Sequence, residues 1–145
     1  MTCTVVHVEY EVRMMKYIID ASVIIAVIAN EPEKNQLIKI TKGADLLAPS
    51  SIHWEIGNAF SAMMKRGRIS LEKAIKAIEI YRRIPIRFLE VELEDTLAIV
   101  SEFGVYAYDA YLLRCAKKYN GTLITLDKKL VEVAKEMGLE VVEVR

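Results

Sequence analysis

The stretch Lys16-Tyr17-Ile18-Ile19-Asp20-Ala21-Ser22 sets the tightest limit on what this chain can become. A short β-prone apolar run ends in a carboxylate, and a small residue, a hydroxyl and a second apolar run, Val23 to Ala29, follow at once. This describes a buried strand that delivers one acid to its C-terminal edge while a helix leaves from Ser22. In open parallel α/β sheets that edge is where ligands bind. The pattern returns near the other end, where Leu123-Ile124-Thr125-Leu126 terminates in Asp127 and a helix-like stretch opens at Lys128. Two acids at two strand ends point to one site.

The segments between them alternate in the same way. Helical patterns are expected from Ser22 to Asn30, from about Glu33 to Thr41 with Gly43 as terminator, and from an N-cap at Ser50-Ser51 to about Lys65. Further helices are expected from Leu71 to Arg83 behind a Ser70 cap, from Glu92 to Phe103, from the Tyr106 region to Tyr119 before Asn120-Gly121, and from Lys128 to Met137. Strands fall at 45–49, 86–89, 122–126 and 139–144. Strands separated by helices predict an α/β fold, a three-layer α/β/α arrangement around a central, mainly parallel twisted sheet. Thr4 to Val12 also alternates, with Val6, Val8, Tyr10 and Val12 on one face. Residues 1–13 therefore read either as an extension carrying an edge strand or as an appendage upstream of a functional start at Met14 or Met15; residues 14–145 read as one domain.

Composition removes several classes of function. With 145 residues and 53% of them apolar, the chain can bury one sizeable core. Twenty basic residues balance twenty acids, so net charge by itself identifies no partner. Cys3 and Cys115 lack any metal-binding or redox spacing, and Cys115 reads as a small core residue. No apolar run reaches membrane-span length and the first residues lack a signal-peptide core, so a cytoplasmic location without membrane contact is expected. The six glycines form no G-x-G-x-x-G or G-K-[ST] loop, which argues against a nucleotide-binding enzyme.

Four acids stand out by context: Asp20, Glu55, Asp109 and Asp127. Singly, each makes sense as a favourable partner of a helix N-terminus. Together they lie where helices leave the same edge of a parallel sheet, so all four can converge. Converging carboxylates raise one another's pKa in the absence of a cation. Hard divalent ions take oxygen ligands, and one or two such ions activate water and clamp the oxygens of a phosphodiester. With these four set apart, the rest of the chain has four more basic than acidic residues, which suits a polyanionic substrate.

The order Ile19-Asp20-Ala21-Ser22, Glu55-x-x-Asn58, Tyr108-Asp109-Ala110-Tyr111 and Thr125-Leu126-Asp127 resembles the PIN-domain ribonucleases, in particular the VapC-like toxins of toxin–antitoxin pairs. The resemblance spans about residues 15–144. It implies Mg²⁺- or Mn²⁺-dependent cleavage of RNA and a small antitoxin as protein partner. It also implies that Asp20, Glu55, Asp109 and Asp127 are catalytic, metal-site acids, with Ser22 and Thr125 as supporting hydroxyls and Asn58 in a supporting position. Lys128 and Lys129, directly after a site acid, are candidate phosphate contacts. Trp54, Tyr106, Tyr108 and Tyr111 are candidates for base stacking, although a buried or interface position for Trp54 and core packing of at least one tyrosine are the commoner outcomes. The stripe Leu71, Ala74, Ile75, Ile78 suggests a homodimer contact. The competing reading keeps the fold as a non-catalytic module that binds RNA or protein.

Overall fold

The computed structural model describes residues 15–144. Among these, five strands and seven helices alternate in the expected order. They are β1 (Lys16–Ile19), α1 (Ala21–Ile28), α2 (Lys34–Thr41), β2 (Asp45–Pro49), α3 (Ile52–Lys65), α4 (Leu71–Arg83), β3 (Ile86–Leu89), α5 (Leu93–Phe103), α6 (Ala107–Tyr119), β4 (Thr122–Ile124), α7 (Lys128–Glu136) and β5 (Val141–Val142). The sheet runs β3-β2-β1-β4-β5 and every pairing is parallel. The expected strand over residues 4–12 lies outside the described residues.

Period-two alternation sends neighbouring strand residues to opposite faces, and each face builds its own core. Ile19, Ala48 and Ile124 pack with α1, Leu37 of α2, α3 and α4. Ile18, Leu47 and Leu123 pack with α5, α6 and α7 on the other side. Hence the central strands read as continuous apolar runs, as a doubly covered parallel sheet requires. Cys115, fully buried in the second core, has its thiol pushed up to about 12 by burial.

Helix boundaries follow local chemistry. Ser70 caps α4 by accepting from the Lys73 amide, while Gly104 (φ +66°) and Asn120 (φ +53°) end α5 and α6 in the left-handed region. Gly121 answers a different demand, since a Cβ there would stand 2.7 Å from Cγ1 of the fully buried Ile18. The cap at α3 departs from expectation: Ser51 occupies the position without a side-chain bond. The Ser50 hydroxyl instead donates to Glu90 Oε1 at 2.7 Å, across to the end of β3.

The apolar stripe of α4 divides between core and surface. Its buried residues are Ala74, Ala77 and Tyr81, with Ile78 partly buried, whereas Leu71 and Ile75 are 62% and 51% exposed. Small side chains let α4 approach its neighbours closely, so alanines rather than the larger aliphatics define its inner face. Among the described residues no helix is long and apolar enough to cross a membrane.

Candidate active site

The sheet order reverses direction at β1, whose neighbours β2 and β4 lie on opposite sides. At such a switch point the loops leaving the two central strands separate and open a crevice. Asp20 follows β1 there, and Thr125 to Asp127 follow β4. Asp20 is 5% exposed, and both of its carboxylate oxygens are occupied. Oδ1 accepts from the Ala21 amide at 2.8 Å, while Oδ2 accepts from the hydroxyls of Ser22 at 2.8 Å and Thr125 at 2.7 Å. Thr125 Oγ1 in turn accepts from the Asp127 amide at 3.0 Å, and Ser22 Oγ accepts from the Leu126 amide at 3.1 Å. Two hydroxyls thus tie the β1–α1 turn to the β4–α7 turn.

Asp127 serves α7 as well, because its Oδ1 accepts from the Lys129 amide at 3.0 Å and the Leu130 amide at 3.4 Å. Glu55 lies in the first turn of α3 and Asp109 in the first turn of α6, both half-buried. Burial raises the Asp20 pKa against the lowering effect of its three donors, and the Asp127 charge adds to the rise. Burial, then the charges of Asp20 and Asp109, push Glu55 up to about 7. Asp109 is raised by burial and by Asp20 and Asp127, with Lys129 pulling it back. The four acids therefore share one electrostatic neighbourhood.

The neighbourhood is open. Among the described residues no group of three or more acidic, imidazole or thiolate side chains is arranged to hold a metal ion by itself. A hard divalent cation nevertheless suits the donor set, which is all oxygen and mainly acidic. Magnesium commonly takes one or two carboxylates and fills its remaining positions with water and substrate phosphate.

Asn58 lies exposed one turn beyond Glu55 on α3. Of the adjacent lysines, Lys129 acts electrostatically on Asp109, while Lys128 lines a cavity with Thr125, Leu126, Val131 and Lys135. Burial of the aromatic residues is not observed: Trp54 is 71% exposed, Tyr106 85%, Tyr108 38%, and Tyr111 is half-buried. Sequence reasoning misses one acid at the edge of the site. Glu90 follows β3 as Asp20 follows β1, and the rule of an acid closing an apolar strand applies to it equally.

Residues 17–136 match the PIN domain family, and the chain belongs to that family. PIN ribonucleases generally depend on a divalent metal. The chain is 27% identical over 123 residues to Ribonuclease VapC3 of Pyrobaculum aerophilum, covering 81% of this chain and 94% of that protein. A crystal structure of a Pyrobaculum aerophilum protein superposes with a TM-score of 0.65 at 23% identity, covering 88% of this chain and 91% of the other. VapBC2 from Rickettsia felis, solved with a DNA fragment of its promoter, gives 0.63 at 15% identity over 88% and 98%. These two structures share the fold.

Proposed function

We infer that this chain is a divalent-metal-dependent endoribonuclease, the toxin of a toxin–antitoxin pair. The observation that supports the reading is that Asp20, Glu55, Asp109 and Asp127 follow strands or open helices at the C-terminal edge of the sheet and that Asp20, Glu55 and Asp109 each feel the charge of one or more of the others. Clustered carboxylates are costly to a fold, and a cation together with a phosphodiester gives them a purpose. The likeness to Ribonuclease VapC3 supports the reaction class. The antitoxin half rests on the fold shared with proteins solved as VapBC complexes.

Asp20, Glu55, Asp109 and Asp127 are the residues that would hold Mg²⁺ or Mn²⁺. When bound, such an ion supplies Lewis acidity to the phosphoryl oxygens and lowers the pKa of a water. The chain's own residues do the positioning. Ser22 and Thr125 fix the Asp20 carboxylate by donating to Oδ2, so its orientation is set before substrate arrives. Asp127 is fixed by the two amides it caps. Lys129, next to Asp109, offers a positive charge to a phosphate, and Asn58 offers an amide one turn from Glu55.

The test is cleavage of single-stranded RNA by the purified chain. Activity is expected with Mg²⁺ or Mn²⁺, is lost in chelator, and returns on re-addition of the ion. Asp109→Asn keeps the side-chain shape and removes a charge, so it is expected to fall at least 100-fold while remaining folded. Wild-type-like turnover by Asp109→Asn would refute the assignment.

A further inference from the structure

A groove of about 440 Å³ runs beside the acids, on the β2–β3 side of the same sheet edge. Its walls include Trp54, Tyr108, Tyr111 and Leu93, with Ser50 and Glu90 at its polar margin. The groove and the acids share their supports: Trp54 precedes Glu55 on α3, and Tyr108 precedes Asp109 on α6.

The outward position of Trp54 has a structural cause. Ile52 and Ile56 are buried against the sheet, and His53 is held on the other side, its Nδ1 2.6 Å from the Tyr81 hydroxyl and its ring 4.3 Å from that of Phe88. These anchors fix the first turn of α3 and leave the indole in the groove, 71% exposed. An exposed indole that lines the same groove as two phenol rings offers stacking faces, and the volume of the groove suits a small organic ligand. Glu90 selects what can enter. Lys118 Nζ and the Tyr119 hydroxyl both donate to the Glu90 carbonyl, at 3.3 and 2.9 Å, and Ser50 donates to its Oε1. A carboxylate so placed repels phosphate and accepts from amino groups of a base edge, since each oxygen has two lone pairs.

We propose that this groove is a base-recognition subsite, in which an unpaired RNA base beside the scissile phosphate stacks among Trp54, Tyr108 and Tyr111 while Glu90 favours bases carrying an amino group over uracil. This rests on the ribonuclease reading and adds a substrate class, single-stranded RNA with an amino-bearing base next to the cut.

Trp54 is the chain's single tryptophan and therefore a built-in reporter. Wild-type protein in chelator, where no turnover is expected, is titrated with hexa-adenylate, hexacytidylate, hexauridylate and a duplex RNA while indole fluorescence is followed. Saturable quenching by the adenine and cytosine strands is expected, weaker with uracil and absent with duplex. Tyr108→Ala keeps the reporter and is expected to weaken the adenine titration about 5- to 150-fold, the range of one lost stacking contact. Glu90→Leu, which removes the acceptor, is expected to keep quenching but level the three single strands. No quenching, or equal ranking in wild type and Glu90→Leu, would overturn the subsite whether or not RNA is cut. Quenching without metal-dependent cleavage would uphold the groove and refute the nuclease reading.

Discussion

Thr125 is the residue on which the site's geometry turns. Its hydroxyl donates to Asp20 Oδ2 and accepts from the Asp127 amide, and it is 2% exposed. Thr125→Val preserves shape and removes both bonds. With a buried carboxylate and an amide each losing a partner, unfolding free energy is expected to fall by about 1–3 kcal/mol, and cleavage to fall with it; denaturant melts and RNA assays check the two separately. At Asp127 structure and chemistry can be separated by a pair of variants. Asp127→Asn retains an acceptor for the Lys129 amide, whereas Asp127→Ala loses the cap of α7 at a cost of about 1 kcal/mol. Both are expected to lose activity, but only the alanine variant should melt earlier.

At the scale of elements, Gly121 links α6 to β4 and packs against Ile18 of β1. A methyl group there meets Ile18 Cγ1 at 2.7 Å and Cδ1 at 2.8 Å, and Ile18 is fully buried. Gly121→Ala is expected to destabilise by about 1–3 kcal/mol, the usual cost of overpacking, measured by urea unfolding. Elements with strong local punctuation were legible in the sequence. The ranges of β2, α4 and β3 agree with those expected because Pro49, Ser70 and Pro85 act through backbone chemistry that needs no tertiary context. Asp20 and Asp127 were legible because each carboxylate interrupts an apolar run at the point where a strand hands over to a helix. Features set by neighbours were hidden. The burial of Ala77, the exposure of Trp54, and the diversion of Ser50 to Glu90 each depend on what packs across the sheet.

For the whole molecule, the acid cluster couples stability to pH. Glu55 is pushed up to about 7 from an ordinary 4.5, and Asp20 and Asp109 are raised as well. Over that window the folded chain binds protons that the unfolded chain has released. The stabilisation is therefore full below the ordinary carboxylate pKa and is lost as pH rises through the raised values. Glu92, held low by Lys118 and Arg114, acts oppositely and only below that window. In chelator, Tm is accordingly expected to fall between pH 5 and pH 7.5 in thermal scans. Mg²⁺ at pH 7.5 should restore it, by about 2.7 kcal/mol at a hundredfold excess over Kd, and should restore Asp109→Asn less.

The Thr125 to Asp20 bond joins positions 105 residues apart. A ribosome making this chain must therefore release everything through β4 and Thr125 before the clasp over Asp20 can close. Prematurely terminated products that stop short of β4 lack both Thr125 and Asp127, and so carry Asp20 without the partners that orient it. For an enzyme that attacks RNA, this arrangement withholds a fully oriented Asp20 from any product that stops before β4, which spares the message and the machinery still in use.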